Sequence, residues 1–354
     1  MNLINPYILI PSNPNLRHCS STFLHVLNDI KEENNAVIQP LVSSTNSLFN
    51  LFNLLVELYK SNSNVAILIF LFAIDPIYIP LLVYCKILNL CINKKIRIYY
   101  MMHEPKYERG RINPCKAFLV FLYNLYFSSN ADFIIIASKD ALARAKKFVS
   151  QKKILMISLT HPSNSRNKLI SNLSVLSFTW DRLKQFSLIG RASLDKNPMG
   201  FINLAELASA KFLGSSNFIR AGKDYFPISY PKSIIHFPGY IQSSSKDFLY
   251  SLTHIIVIPY KYSTQSGVIP EALSYGKILI VNDIPAFSYL RGLNFVFTVD
   301  FDCKHSLVSC LEEIFSLGQE DYQSRCLAAI EYFEENHSEA YLKRELERVL
   351  LDAV

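Results

Sequence analysis

The sequence lacks several motifs that would assign it to a common class of proteins. After the first apolar run, residues 12–18 read Ser-Asn-Pro-Asn-Leu-Arg-His, so the G-x-G-x-x-G loop of dinucleotide-binding proteins is missing there. No zinc-finger spacing and no Lys/Arg stripe interleaved with aromatic residues is found, which argues against nucleic acid as a partner. No G-x-S-x-G elbow occurs, and the eight histidines form no ligand cluster. We therefore expect neither a serine hydrolase nor a metal site.

The cysteines and the N-terminal residues favour a cytoplasmic protein. The seven cysteines are odd in number and contain no C-x-x-C pair, which is typical of reduced thiols in a cytoplasmic protein. The N-terminus has neither a basic region nor a small-residue cleavage site, so we expect no secretory signal.

The composition favours a large core and an anionic partner. Half of the 354 residues are apolar and only 18% are charged, which is too apolar for a disordered chain. This length exceeds what one compact core usually supports, so two domains are expected. The net charge of +7 suits nucleotide phosphates or lipid headgroups.

One apolar stretch, Val65–Ile92, resembles a membrane span in composition. Asp75-Pro76 and Pro80 divide it into a strand-length piece and a helix-length piece, and neither reaches the roughly 20 apolar residues that a spanning helix needs. A buried strand followed by a packed helix is the better interpretation.

Short apolar runs alternate with segments of helical spacing along the whole chain, which predicts an α/β fold with parallel sheets. The predicted strand runs are Tyr7–Ile10, Val65–Phe72, Ile96–Met102, Asp132–Ala137, Ile154–Leu159, Phe186–Arg191, Ser233–Phe237, His254–Tyr260, Lys277–Asn282 and Phe295–Val299. The polar stretch Ser163–Lys168 interrupts this alternation, and a new series opens at Phe186. We expect an N-terminal Rossmann-like domain over residues 1–178 and a C-terminal one over 179–337. A final helix over 338–354 is expected to pack back across their junction.

The segment His254–Asn282 contains the most specific local signal. Proline is tolerated only in the first turn of a helix, so Pro270 predicts a helix that begins at about Gly267 or Val268 and ends before Gly276. Its first amides, around Ser266–Val268, suit an anion. An ordinary capped helix is the alternative.

Two cations follow the strand at Phe186. The sequence there reads Gly190-Arg191, with Lys196 five residues later. Since the carboxyl end of this strand is expected to open on a cleft between the domains, both cations could neutralise a diphosphate. A solvated surface pair is the alternative.

Together these motifs resemble the C-terminal half of retaining GT-B glycosyltransferases of family 4, the glycosyl transferases group 1. The matching elements are Gly190-Arg191, Lys196, Ser266-Gly267 and the run Glu271–Lys277. The stretches His236–Ile241, Asp247–Leu252 and His254–Tyr260 resemble the segment around the nucleotide base. The resemblance covers about residues 186–300 and implies two Rossmann-like domains facing across a cleft.

The resemblance implies roles for individual residues. Arg191 and Lys196 would bind the donor diphosphate, Glu271 would hold its ribose, and His103 would face the donor sugar. The remaining donor contacts would come from Gly190, Gly239, Tyr240, Thr264, Gln265, Ser266, Gly267 and Val268. The family often has a glutamate eight residues before the position of Glu271, but Ser263 stands here, which leaves the donor sugar open.

The first domain offers weaker candidates. Arg17, His18 and Arg109 could contact an acceptor, although a solvated basic loop explains Arg109 equally well. The aromatic segment Ala117–Phe127 beside this loop predicts peripheral attachment to an anionic membrane, with an ordinary core helix as the alternative. Asp300-Phe301-Asp302 spells D-x-D, but Asp302 fits better as a helix cap than as a metal ligand.

The sequence thus predicts a metal-independent, retaining glycosyltransferase in the cytoplasm. It would move a hexose-type sugar from a nucleotide diphosphate to a surface polysaccharide or a lipid-linked glycan, with no cofactor beyond this donor. Two alternatives remain, namely a non-catalytic nucleotide-sugar-binding subunit and a GT-B sugar-nucleotide epimerase or phosphorylase-like protein.

Overall fold

The computed structural model describes most of the chain. The described residues are 4–10, 25–26, 29, 39–42, 56, 59–60, 64–71, 78–92, 96–102, 113–147, 149, 154–162, 176, 179–212, 214–263 and 266–351. The chain forms two compact units, one of residues 1–160 with 339–354 and one of residues 161–338.

The first unit contains a six-stranded parallel sheet in the order β2-β1-β3-β4-β5-β6. Its strands are β1 (Ile4–Ile10), β2 (Gln39–Val42), β3 (Asn64–Leu71), β4 (Ile96–Met102), β5 (Phe133–Ile136) and β6 (Ile154–Met156). Its described helices are α1 (Tyr78–Cys91), α2 (Pro114–Asn130), α3 (Lys139–Ala145) and, at the end of the chain, α9 (Glu339–Leu351).

The core of the first unit lies between the sheet and helices α1 to α3. Alternate residues of β4, among them Ile98 and Tyr100, are buried on this side with Leu82 of α1 and Phe127 of α2. The Tyr100 and Phe127 rings lie 5.3 Å apart. Burial of every second strand residue under helices is the expected packing of a covered parallel sheet.

The second unit contains another six-stranded parallel sheet, in the order β12-β11-β10-β7-β8-β9. Its strands are β7 (Lys184–Ile189), β8 (Ser216–Gly222), β9 (Ile234–Pro238), β10 (Ile255–Ile258), β11 (Ile278–Asn282) and β12 (Val296–Val299). Its helices are α4 (Pro198–Lys211), α5 (Ser243–Leu252), α6 (Val268–Ser274), α7 (Lys304–Ser316) and α8 (Gln319–Asn336), with short 3₁₀ turns at Leu194–Lys196 and Pro285–Leu290.

Apolar clusters cover both faces of this second sheet. On one face the stacked rings of Phe186 and Phe218 lie 4.8 Å apart, and on the other Ile256 and Leu279 pack with α6 and α8. Trp180 stacks on Tyr322 at 4.1 Å and donates its indole N–H to the Leu317 carbonyl. The predicted α/β class with parallel sheets is confirmed.

The division between the units differs from the expected boundary. The chain divides after Thr160 rather than after residue 178, and residues 339–354 belong to the first unit. The physical reason is that Leu176 and Trp180 are buried in the core of the second unit, and the His161 amide donates to the His337 carbonyl at 3.0 Å.

Within the described residues, every helix is too short or too polar to cross a bilayer. The apolar stretch that resembled a span forms strand β3 and helix α1, as the sequence predicted for its two pieces.

The buried lysine at position 277 predicts a pH-dependent stability. Lys277 directly precedes β11, and burial lowers its pKa from 10.5 to about 8. Between these pH values the unfolded chain binds more protons than the folded one, so stability rises with pH across this window. Below about pH 8 the folded protein carries a buried charge, and we expect Lys277→Met to raise the free energy of unfolding at pH 7 by on the order of 2–3 kcal/mol.

Urea unfolding followed by fluorescence of Trp180, the single tryptophan, measures this effect in the second unit. The gain should vanish above pH 10.5, where Lys277 is neutral in both states. Cys326, whose pKa burial raises to about 11, is present in both proteins and largely cancels in the difference. Lys211→Met, at an exposed lysine paired with Glu312, is the matched control. A gain independent of pH would contradict this account.

Candidate functional site

The candidate site lies at the carboxyl edge of the second sheet, between β7 and β10. The chain runs from β7 to β8 and β9 on one side, whereas β10 returns to the other side of β7. Loops that leave two such neighbouring strands in opposite directions form a crevice, which is the usual ligand position in open α/β sheets. Gly190 and Arg191 leave β7 at this point, and Tyr260 follows β10.

The loop after β7 is held by a buried arginine. Gly190 has a φ of +111°, a conformation that favours glycine, and its amide donates to the Ala221 carbonyl at 2.9 Å. The fully buried Arg220 donates from Nη1 to the Gly190 carbonyl at 2.8 Å and from Nη2 to Asp224 Oδ1 at 2.8 Å. A guanidinium with several fixed acceptors orients the backbone beside it. Arg220 therefore fixes the position from which Arg191 extends.

The first cation of the site is exposed and the second is buried. Arg191 lies at the surface, whereas Lys196 is only 9% exposed and ends the 3₁₀ turn after the loop. Asn197 follows with a φ of +46° and accepts a hydrogen bond from the Gly200 amide, so that α4 begins directly after Lys196. These local constraints turn the lysine side chain towards β10.

The Tyr260 ring connects the two loops. Lys196 Nζ lies 3.6 Å from the centroid of this ring, and the Lys261 amide donates to the Asp195 carbonyl at 2.9 Å. Burial raises the pKa of the Tyr260 hydroxyl to about 12, while the nearby Ser266 hydroxyl and the charge of Arg191 act in the opposite direction. Lys196 thus contacts the Tyr260 ring, and Ser266 and Arg191 lie near enough to influence its hydroxyl.

Helix α6 has the bounds that the sequence predicted. It spans Val268–Ser274, with Pro270 in its first turn and Gly276 beyond its end at a φ of +62°. The ideal Cβ position of Gly190 lies 4.0 Å from Val268 Cγ2, which places the start of α6 against the β7 loop. The amides of Ile269 and Glu271 already donate to Ser266 and Gly267 carbonyls, each at 3.3 Å. Positive charge for an anion therefore comes mainly from the two cations.

Glu271 is a buried carboxylate with a basic environment. Lys246 Nζ of α5 lies 2.9 Å from Oε1 and 3.3 Å from Oε2, and His161 Nε2 lies 3.8 Å from Oε1. Burial raises the pKa of Tyr250 well above its ordinary value, and the nearby Glu271 carboxylate adds to this increase. The lysine offsets the cost of burying the carboxylate and fixes its direction.

The structure brings together the predicted residues Gly190, Arg191, Lys196, Ser266, Gly267, Val268 and Glu271. Gly239 and Tyr240 follow β9, and β9 pairs with β8 so that Pro238 lies opposite Gly222. Tyr240 is 92% exposed, and no described contact joins it to the other site residues. The predicted residues His103, Thr264, Gln265, Arg17, His18 and Arg109 lie outside the described residues.

The D-x-D sequence has another role than the expected one. Helix α7 begins at Lys304 and has Cys303 at its N-cap, so Asp302 does not cap it. The Asp302 carboxylate instead lies 3.3 Å from Lys261 Nζ. In the part of the chain that the structure describes, no three His, Cys, Asp or Glu side chains are grouped as metal ligands.

Comparison with known proteins identifies the fold. No protein-family model matches the chain, and no curated protein matches it in sequence. Two solved structures are similar over their full lengths. Anabaena HepE in complex with UDP has a TM-score of 0.68 at 10% identity, with 99% of this chain and 100% of that one covered. A glycosyltransferase from Rickettsia africae has a TM-score of 0.67 at 13% identity, with 100% and 99% covered.

The chain has the GT-B fold. An E. coli trehalose-6-phosphate structure bound with UDP-2-fluoro glucose also shares it, with a TM-score of 0.65 at 8% identity over 99% of both chains. At these identities the likeness extends to the fold and not to the activity.

The sequence did not predict which side chains form hydrogen bonds or ion pairs with the predicted site residues. Lys246 and His161 lie far from Glu271 along the chain, and Arg220 lies in a strand that the apolar pattern did not detect. A buried carboxylate almost always requires a partner, so Glu271 itself was a signal that a cation would be found. The sequence did not indicate which cation.

Proposed function

We propose that the protein is a retaining, metal-independent glycosyltransferase that acts in the cytoplasm. It would transfer a hexose-type sugar from a nucleotide diphosphate to a surface polysaccharide or a lipid-linked glycan. The observation that carries the proposal is the gathering of Arg191 and Lys196 around Tyr260, at the point where β7 and β10 diverge. HepE, which shares the fold, has been solved in complex with UDP and with UDP-glucose, and this supports a nucleotide-sugar ligand.

The chemistry follows from the charges. When the bond between the anomeric carbon and the diphosphate oxygen breaks, negative charge grows on the leaving diphosphate. Lys196 and Arg191 would stabilise this charge without a metal ion, because Lys196 lies beside Tyr260 and the charge of Arg191 acts on the same tyrosine. The acceptor hydroxyl would attack from the face that the diphosphate leaves and pass its proton to the departing phosphate oxygen. No nucleophilic side chain and no cofactor are needed for this route.

Lys246 would have a supporting role beside Glu271. A bare carboxylate close to a diphosphate would repel it, whereas the Lys246–Glu271 pair is nearly neutral. Because its Nζ lies within hydrogen-bonding distance of both carboxylate oxygens, Lys246 would hold Glu271 towards the ribose. His103, which lies outside the described residues, stays a prediction for the sugar-facing residue.

A ligand and turnover screen tests the proposal. Thermal unfolding is measured with UDP-, GDP- and ADP-sugars, and a ligand selective for the folded state should raise the melting temperature. The bound nucleotide sugar is then incubated with glycan acceptors, and release of free nucleotide with transfer of the sugar is expected. Binding without turnover would favour the non-catalytic subunit, and an isomerised sugar nucleotide would favour the epimerase. No binding of any nucleotide would contradict all three.

Glu271→Gln should abolish recognition of the ribose. We expect the affinity for the best nucleoside diphosphate to fall about 10- to 100-fold, because the amide accepts the ribose hydroxyls poorly and leaves Lys246 unpaired. The wild type should also prefer this nucleotide over its 2′,3′-dideoxy analogue, and the variant should not. Isothermal titration calorimetry measures both ligands.

The control for this prediction is Glu312→Gln, at an exposed carboxylate that pairs with Lys211 in the same unit. It should leave both affinities unchanged. Lys246→Met should reproduce part of the Glu271→Gln effect, because the carboxylate loses its closest cation. If Glu271→Gln weakens the nucleotide and its dideoxy analogue equally, Glu271 does not contact the ribose.

A further inference from the structure

An apolar surface covers the solvent side of helices α1 and α2 in the first unit. On α1 the exposed residues Val83, Ile87 and Leu90 recur at helical spacing, and Leu90 is 84% exposed. On α2 Phe118, Leu119 and Leu122 form a second stripe, with Phe118 and Leu119 more than half exposed. We name these six residues the α1–α2 face. Monomeric proteins rarely expose such a concentration of large apolar side chains without an interaction to serve.

The two stripes belong to one surface. Both helices pack against β4 from the same side of the sheet, where Leu82 and Leu88 of α1 and Phe127 of α2 join a single core cluster. Asp132 stands two residues beyond the end of α2, and its Oδ1 lies 4.0 Å from Lys86 Nζ of α1. The helices are therefore neighbours, and their outer stripes lie side by side.

The charges of these helices have one sign. Among the 14 residues of α1 and the 17 of α2, the charged side chains are Lys86 and Lys116, and neither helix contains Asp or Glu. In the sequence Lys94 and Lys95 stand three and four residues after the last residue of α1. A second copy docked on this face would place like charges together, whereas an anionic surface complements them.

We propose that the α1–α2 face docks on a bilayer that contains anionic lipids. The apolar side chains would enter the boundary between headgroups and acyl chains, and the net positive charge of the two helices would favour anionic headgroups. Phe118 provides an aromatic anchor, and the aliphatic residues of both helices supply the rest of the apolar area. This proposal does not depend on the transferase activity.

Flotation with vesicles tests the proposal on the full chain. Wild-type protein is mixed with vesicles of phosphatidylcholine alone or of phosphatidylcholine and phosphatidylglycerol in equal amounts. We expect flotation with the anionic vesicles at low salt, and less flotation as salt screens the lysines. Phe118→Glu with Leu122→Glu should weaken the partitioning at least about tenfold, because two charges would then enter the apolar boundary.

Two further variants make the test specific. Leu90→Glu changes the same face through α1 and should also weaken partitioning, independently of α2. Leu327→Glu replaces a leucine on α8 of the second unit whose exposure is close to that of Leu122, and this variant should float like the wild type. Far-ultraviolet circular dichroism checks that each variant is folded.

Three outcomes would overturn the proposal. The wild type could remain in the bottom fraction of the gradient in the presence of anionic vesicles. The α1 and α2 variants could also float as well as the wild type. Alternatively, light scattering could show a wild-type dimer that Phe118→Glu with Leu122→Glu converts to a monomer, with no vesicle binding by either. In that case a second copy covers the face.

Discussion

We expect the Lys196→Ala variant to transfer sugar about 100- to 1,000-fold more slowly than the wild type. Lys196 is nearly buried, and its ammonium group lies 3.6 Å from the centroid of the Tyr260 ring. A cation in such a water-poor position interacts more strongly with growing negative charge than an exposed one does. The loss should appear mainly in kcat, because the charge on the leaving diphosphate grows as the transition state forms.

The neighbouring cation should have a smaller effect. Arg191 is exposed, so solvent and salt screen its charge, and Arg191→Ala is expected to slow transfer only about tenfold. Single-turnover kinetics with the nucleotide sugar found in the screen measures both variants.

The control for Lys196→Ala comes from the same helix region. Lys211 ends α4, the helix that begins just after Lys196, and it pairs with Glu312. Lys211→Ala should transfer sugar at the wild-type rate. If Lys196→Ala and Lys211→Ala had equal rates, or if Lys196→Ala changed KM alone, Lys196 would not stabilise the leaving group.

The sequence predicted those elements of the fold that one strong local rule defines. Pro270 and Gly276 fix the two ends of α6, and the apolar run Ile96–Met102 coincides with β4. Strand β8 was missed because Arg220 lies in its middle. An arginine argues against a buried strand, and only the fold supplies the carbonyls of Gly190 and Leu188 and the Asp224 carboxylate that make its burial tolerable. Strand β2, at the sheet edge, has only four residues, one of them Pro40.

The candidate site shows the same division. The cations and Glu271 could be named as candidates because they stand at fixed distances from a strand end or a helix start. Their partners could not, because Lys246 and Tyr260 reach the site only once the strands are ordered in the sheet. The apolar composition of α2 predicted either a core helix or a surface for lipid. In the structure one side of the helix is buried in the core and the other is exposed. Contact of the exposed side with lipid stays a prediction.

The second large effect is expected from Gly222→Ala, at the end of β8. Gly222 has a φ of +133°, and a Cβ built there would lie 1.9 Å from the Gly190 carbonyl oxygen. Backbone must therefore move, in addition to the strain of placing an L-residue at this φ. We expect the free energy of unfolding of the second unit to fall by about 3–4 kcal/mol. Urea unfolding followed by the fluorescence of Trp180 measures it.

The same substitution should weaken nucleotide binding, and a second glycine separates strain from clash. Gly292 has a φ of +80°, but a Cβ there would meet no atom within 4 Å, so Gly292→Ala should cost only about 1–2 kcal/mol. Because Gly222 abuts the carbonyl from which the Arg191 loop continues, Gly222→Ala should also reduce the affinity for the nucleoside diphosphate, whereas Gly292→Ala should not. Equal destabilisation by the two substitutions would show that the contact with Gly190 is unimportant. Unchanged affinity in a folded Gly222→Ala protein would show that the β7 loop is not part of the diphosphate site.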